Sequence, residues 1–472
     1  MRKFKKVGNE DAINTLSRMT VELKYEDLPQ EVIDFAKVLI FDTIGCMVAG
    51  HAKHPIPVIA KHIQKKGGIA EAYIPFFGGK VPAEEAAMVM GPMTRAIDFA
   101  AIHADAMHQV EHVLPAMIGG VGLLDKVSGK DFITAFVAGV ETMLRIGIGY
   151  NGNKGIEIGR SNGHYIFGGV AAVGKLMGLD QETLENAHGI ARQMTQPHDM
   201  AAYHPVTHMI KVHQGFIAQD AVTCCKFAQL GVTGPRVDVI EGPKGLLGMA
   251  DWETFPEKIC ANLGEYWHFM EIEMKAYPGC KCLHMACDGV KSLMAQYNIG
   301  VDDIEHIHVD ECKLNAGVSG GPIEEKLNPK DIYERQFSVP FMVATIIYDD
   351  DLMPDAFLDE AANRPFIKAF MQKVTLGEDF SLPSWESKVI LTTKDGKVYE
   401  KIAQPIELKG SVINRYTRKE LIAKFKKGLP YSLYKIDEAF VDQYAQAVLN
   451  LEKSQDIMKD VVLPLVPPKE LT

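Results

Sequence analysis

The run RAIDFAAIHADAMHQVEHVLP packs Asp98, His103, Asp105, His108 and His112 between apolar stretches. Histidine beside carboxylate is equipment for moving protons near neutral pH, because imidazole is the side chain that titrates there. The plain alternative is a solvated polar loop. A second run, QPHDMAAYHPVTHMIKVHQG, holds His198, His204, His208, Lys211 and His213. It has no HExxH pair to mark a zinc helix, and Lys211, near a helix start, is placed to hold a carboxylate. A third run, KAYPGCKCLHMAC, gathers Cys280, Cys282, His284 and Cys287. Structural zinc is commonly held by two separated ligand pairs, which this run lacks, and Cys280 and Cys282 are too close for a thioredoxin-type pair. If a helix begins after the Tyr277-Pro278-Gly279 turn, Cys280 and His284 share a face and His284 sits in the first turn. Free N–H groups and the helix dipole favour anions there. Zinc or thiol-redox use of Cys280, Cys282, His284 and Cys287 stays open as a different class of function. No P-loop, dinucleotide fingerprint or nucleophile elbow is present, so phosphate and acyl-serine chemistry are not indicated.

The elements that must carry these groups follow from hydrophobic spacing. Five segments between Pro29 and about Cys225 repeat apolar residues every three to four positions: PQEVIDFAKVLIFDTIGCMVAG, PAEEAAMVMGPMTRAIDFA, KDFITAFVAGVETMLRIGIGY, GHYIFGGVAAVGKLMGLD and HQGFIAQDAVTCCKFAQLG. That period predicts helices, with Pro29 and Pro82 at their starts and Gly50 and Gly231 as stops. Beyond Tyr277 the pattern alternates, in IEHIHVDE, KVTLGED and SKVILTTKDGKVYEKI, the last a hairpin around Asp395-Gly396. Helical pieces, HMACDGVKSLMAQYN and QFSVPFMVATIIYDD, lie between the strands. Helix returns in TRKELIAKFKKGL, with a capping-box pattern at Thr417 and Glu420, and in EAFVDQYAQAVLNLEK. The expected fold is therefore mostly α. A large helical domain is built from residues 1–271 and 409–472, with a smaller α+β lid domain, 272–408, inserted between them. A cleft between two such lobes is a preferred place for a ligand.

Bulk properties narrow the ligand. A net charge of −11 and a pI near 5.8 argue against nucleic acid or an anionic membrane as the partner. The basic start, MRKFKKVGNEDAINTL, is followed by polar residues and not by an apolar core, so no secretory signal is expected. No run reaches the roughly 18 uninterrupted apolar residues of a membrane span; the longest apolar-rich segment, Val32 to Gly50, is broken by Asp34, Lys37 and Asp42 and reads as a buried helix. Eight unevenly spaced cysteines fit a reduced, cytoplasmic setting.

The ordered set of motifs resembles the MmgE/PrpD family. The resemblance covers most of the chain: LPQEVIDFAKVLIFDTIGCMVAG, IDF and HVLPA, GKLMGL, GVTGP with EGPKG, KAYPGCKCLH, FSVPF and ELIAKF. It implies a homodimer and cofactor-free chemistry on di- or tricarboxylic acids at the cleft, with no metal. The family includes 2-methylcitrate dehydratase, cis-aconitate decarboxylase and iminodisuccinate epimerase. By position, Asp98, His108 and His284 match family site residues. Lys211 matches the family lysine at a spacing one residue shorter. The resemblance makes Asp98, His108, Lys211 and His284 the expected catalytic set, and His103, His164, His213, Lys275 and Cys280 the expected substrate contacts. Ala100, Ala101, Ile102 and Phe341 stand where the family carries acidic residues, threonine and tyrosine, so the pocket is re-lined. The expected reaction is dehydration of a 2-methylcitrate-like hydroxy acid by proton abstraction α to a carboxylate. Epimerisation of an iminodisuccinate-like diacid is the alternative, and cis-aconitate-type decarboxylation comes after it.

Overall fold

The structure, a computed structural model, describes residues 2–106, 108–109, 112–161, 163–195, 198–199 and 206–467, the backbone alone at 108–109, 161 and 198–199. The chain is mostly helical with one small sheet, and the expected helices form over Gln30–Gly50, Ala83–Arg95, Gly129–Tyr150, Tyr165–Leu176 and Met209–Gln229. Helices Ala12–Glu22 and Gln181–Met194 add to these. Asp11 and Asp180 cap their first turns by accepting from Ile13 N–H and Thr183 N–H. Gly50 acts differently from the expected stop. It is the last helical residue, and a Cβ there would meet the Met93 carbonyl oxygen at 2.1 Å, so its smallness lets helix Gln30–Gly50 press against Ala83–Arg95. Gly231 has φ +89°, beyond the helix end at Gln229, as a stop requires. Among the described residues Gly129–Tyr150 is the one helix long and apolar enough to cross a membrane, and 94% of its apolar window is buried against the rest of the chain.

The four-stranded sheet runs in the order Val398–Ala403, Ser387–Thr393, Ile304–Glu311, Val374–Glu378. The first two strands form the expected hairpin, and Gly396 supplies the positive φ its turn needs. Ile304–Glu311 pairs antiparallel with Ser387–Thr393 and parallel with Val374–Glu378. Helix His284–Tyr297 covers this sheet closely, because a Cβ at Gly289 would lie 2.7 Å from Val389 Cγ2.

Two large apolar cores result. One joins helices from the first half of the chain to Leu421, Phe425, Val441 and Tyr444 near its end. The other lies around the sheet and helices His284–Tyr297 and Val339–Asp349, and it takes in Ile102 and Ile210 from the first half. Along helix Met209–Gln229, Ile210 therefore packs in the second core and Val212 in the first. Lys211 sits between the two cores.

Glu311, at the end of its strand, is fully buried, and burial pushes its carboxyl up to about 7. It accepts from Ser319 Oγ at 3.0 Å, while Oε1 has no hydrogen bond. Between pH about 4.5 and 7 the folded state thus holds a proton the unfolded state has lost, and stability from this group falls as pH rises through that window. Glu311→Gln should remove a penalty on the order of 3 kcal/mol at pH 8 and almost none at pH 5. Thermal melts at both pH values check this; an equal difference at both would rule it out.

Candidate active site

Helix Ala83–Arg95 ends in a turn in which Asp98 N–H donates to the Arg95 carbonyl, and Asp98 takes a left-handed φ of 52°. That turn aims the Asp98 carboxylate inward, where it has no exposure. Three buried cations meet it: Arg95 Nη1 at 2.7 Å, Lys275 Nζ at 2.6 Å and Lys211 Nζ at 3.3 Å. They arrive from the end of one helix, the start of another and the loop that leads into the second core. Burial alone raises a carboxyl pKa, but here Arg95, Lys211 and Lys275 overcome it and hold Asp98 well below the usual carboxylate range. Three positive charges face one negative charge, so the centre is built for further anions.

Two of its side chains keep bonding capacity to spare. Lys211 Nζ pairs with Asp98 Oδ2 at 3.3 Å and faces the Phe337 and Tyr333 rings at 5.3 and 5.8 Å. Burial pushes its amine down to about 7 against the opposing pull of Asp98. His284 is the second, its Nε2 making no hydrogen bond. The His284 ring is hydrogen-bonded to the Gly279 backbone and stands edge-on to Tyr277 at 5.3 Å. Burial, then Lys275 and Lys281, hold it well below the usual histidine range, so it is a neutral imidazole in the resting protein. Buried polar atoms without a hydrogen bond are scarce in folded proteins, and one beside an excess of positive charge suits an incoming carboxylate.

Gly279 ties the third run to this centre. Its N–H donates to the Asp98 carbonyl at 3.0 Å, and its own carbonyl accepts from Lys275 Nζ at 3.0 Å. His284 is the first residue of its helix, as its expected first-turn place requires, but Lys281–Leu283 form a 3-10 turn before it and Cys280 is extended. Cys280 and His284 therefore do not share a helical face. The Cys280 thiol meets that of Cys282 instead.

The remaining expected residues divide. The backbone of His108 pairs with that of His103 in a short hairpin, and the His108 side chain lies outside the described residues, as do His204 and the side chain of His198. His103 accepts from Ala106 N–H through Nδ1 at 3.1 Å and donates from Nε2 to Glu271 at 3.1 Å, so both ring nitrogens serve to anchor the hairpin. His164 is fully buried near the Ala106 backbone between Tyr150 and Tyr165, and burial pushes it down to about 3. His213, two residues beyond Lys211, lies roughly 200° around the helix, and its Nδ1 donates to the Met209 carbonyl at 2.7 Å. Asp98, Lys211, Lys275, His284 and Cys280 are thus brought together, and His103, His164 and His213 are not among them.

Arg95 and Lys281 were not anticipated. Arg95 had a readable signal, an arginine closing an apolar helix three residues before an aspartate. Lys281, paired with Glu273 and lying 5.3 Å from the Trp385 ring, is also pushed by burial down to about 7.

The zinc reading of the cysteine run is corrected. Among the described residues the metal-type side chains whose ligand atoms converge within 4.8 Å are His103, His268 and Glu271, and Cys280, Cys282, His284 and Cys287 are not such a set. The 3-10 turn leaves the Cys280 and Cys282 thiols in contact, but the four ligand atoms do not converge on one point. The histidine and glutamate trio does not suit a metal either. With Nδ1 accepting from Ala106, neutral His103 must carry its proton on Nε2, the atom that would ligate. Hydrogen bonding already satisfies it, with His268 Nδ1 also donating to Glu271, at 2.7 Å.

A cleft of about 1360 Å³ opens between the two cores, lined among others by Lys53, His208, Tyr333, Arg335 and Tyr431. Tyr333 forms part of its wall and faces Lys211 on the other side.

Over 465 residues the chain is 26% identical to a cis-aconitate decarboxylase of Aspergillus terreus, covering 92% of each chain. It is 24% identical over 474 residues to the cis-aconitate decarboxylase-like protein oryM of Aspergillus oryzae, covering 95% of this chain and 96% of that one. Residues 14–253 match the MmgE/PrpD N-terminal domain and residues 277–451 the MmgE/PrpD C-terminal domain. The chain belongs to the MmgE/PrpD family.

Proposed function

We propose that the protein is a lyase acting on a di- or tricarboxylic acid without a cofactor. The observation that carries this is the buried centre of Arg95, Lys211 and Lys275 around Asp98, with His284 Nε2 making no hydrogen bond. In this reading a substrate carboxylate binds at Lys211 and His284. Removing a proton α to that carboxylate gathers charge on its oxygens, and fixed cations in a dry site stabilise such a state far better than water does. Lys211, titrating near 7, takes a proton from solvent as the anion arrives beside it and becomes the main cationic contact. Asp98, held by three cations, positions them and is not itself the proton carrier. His108 remains the proposed base.

Dehydration of a 2-methylcitrate-like hydroxy acid is the first reading of the chemistry. Decarboxylation of a cis-aconitate-like acid is the second, favoured by what the Aspergillus relatives are named. The proposal includes the two-lobed layout, residues 272–408 closing as a lid over 1–271 and 409–472, and a homodimer. Purified protein offered a panel of hydroxy, unsaturated and amino polycarboxylic acids is expected to turn over a member with a change in alkene absorbance. Release of CO₂ would select decarboxylation, and optical inversion alone would select epimerisation and overturn the lyase reading. No turnover and no calorimetric binding of any member would overturn the carboxylate site itself.

A further inference from the structure

The C-terminal segment braces the two stretches of backbone that carry Asp98 and Lys275. Met274 N–H donates to the Gly410 carbonyl at 2.9 Å, Arg415 Nη1 to the Ile272 carbonyl at 3.3 Å, and the Tyr416 hydroxyl to the Lys275 carbonyl at 3.2 Å. From the helix that follows, Arg418–Lys427, Lys424 Nζ donates to the Phe99 carbonyl at 3.3 Å and lies 4.0 Å from the centre of the Phe99 ring.

Lysine is a costly residue to bury there. The Lys424 side chain is 7% exposed and pairs with Asp42 Oδ1, itself 2% exposed, at 2.8 Å. Burial pulls the amine pKa down, but Asp42 outweighs it and the group stays charged. Asp42 Oδ2 is buried without a hydrogen bond. A buried ion pair is a poor way to gain stability, and one with an unsatisfied oxygen is poorer still. What this pair supplies, and two apolar side chains would not, is a fixed donor aimed at the Phe99 carbonyl. Phe99 follows Asp98, whose left-handed φ of 52° persists because its surroundings fix it. Asp98 N–H is held by the Arg95 carbonyl, and the Asp98 carbonyl accepts from Gly279 N–H and Lys275 Nζ. Lys424 holds the next carbonyl along.

We propose that Lys424, backed by Asp42, is a positioning residue for the carboxylate site: by holding the Phe99 carbonyl it keeps the Asp98 carboxylate at its distance from Lys211. The inference rests on the carboxylate site proposed above. Lys424 acts through Asp98 and not on the substrate. Asp98 pulls the Lys211 pKa up against burial, so a slip of its carboxylate lowers the pH at which Lys211 gives up its proton. At an effective dielectric of ~20, a retreat of about 1 Å from the observed 3.3 Å moves that pH by roughly one unit.

The test measures citrate affinity of the full chain by calorimetry from pH 6 to 9, with melting temperature alongside. Lys424→Met strands Asp42 and should lower the melting temperature. It should also lower the pH above which affinity declines, by about half a unit or more. The double variant Asp42→Asn, Lys424→Met removes both charges, so its melting temperature should return toward wild type while the limb stays shifted. A limb that keeps the wild-type pH in both variants, or that returns together with the melting temperature, makes Lys424 merely structural and overturns the proposal. The wild type separates the failures: no citrate binding sinks the carboxylate site itself, and binding that does not decline above pH 7 sinks the role of Lys211 and this one with it. Wild-type binding with its limb in place, and no shift in the variants, sinks the positioning role alone.

Discussion

Asp98→Asn is expected to destabilise the protein by about 3–5 kcal/mol, the usual effect of removing one partner from a buried charge pair. Here the loss strands three cations, Arg95, Lys211 and Lys275, each at least nine-tenths buried. Asparagine keeps the shape of aspartate and tolerates the left-handed φ of 52°, so the change tests charge and not backbone strain. The sign with pH follows from linkage. Asp98 is held well below the unfolded value, so its contribution is complete above about pH 4 and is lost as pH falls below that. Melting temperatures of wild type and variant should therefore differ most at pH 6 and converge under acid conditions. A merely structural aspartate would stop there. In this site Asp98 also holds the Lys211 proton, and without it Lys211 loses that proton at lower pH. The alkaline limb of citrate binding in the variant should accordingly shift downward. Wild-type stability at pH 6 together with an unmoved limb would sink the anchoring role.

How much of this was legible depends on what each residue type announces by itself. The 3.6-residue period announced the helices, and Asp395-Gly396 the hairpin, because both signals are local. The helix from His284 forms where its apolar period announces it, whereas Pro278 and Gly279 mark a turn without fixing the 3-10 conformation of Lys281–Leu283 that follows. Gly50 was taken as a stop because sequence shows a glycine's freedom and hides its neighbours. Its smallness is used on Met93, in another helix.

For the site, sequence supplied titratable residues without their partners. His103 looked equivalent to His284 in type and setting. Only the fold brings Glu271, 168 residues away, to one of them, and leaves the other with an empty nitrogen. Lys281 went unnoticed because a lone cation carries no sign of its own burial, and Arg95 had only its spacing from Asp98 to mark it. The cysteines left a zinc reading open, because spacing alone does not fix where side chains go, and the four ligand atoms do not converge.

Lys211 is where stability and function should part most sharply. Lys211→Met removes a fully buried amine whose folded pKa, about 7, lies below its ordinary 10.5. The folded state sheds this proton before the unfolded state does, so the group weakens the fold below about pH 7 and the penalty fades between 7 and 10.5. Methionine fills similar space over Phe337 and leaves Asp98 with Arg95 and Lys275. The variant should thus be no less stable than wild type at pH 6. Citrate affinity by calorimetry should nevertheless fall by roughly 2–5 kcal/mol, or about 30- to several-thousand-fold, because the carboxylate loses the cation held most loosely by Asp98. Wild-type affinity should also decline as pH rises past 7, by up to about tenfold per unit, as free Lys211 loses its proton. Lys211→Arg keeps its charge throughout and should flatten that limb. A rise in affinity through pH 7 would instead make Lys211 a base. A limb that survives in the arginine variant would belong to Lys281, which titrates in the same range, and would remove Lys211 from the role given to it.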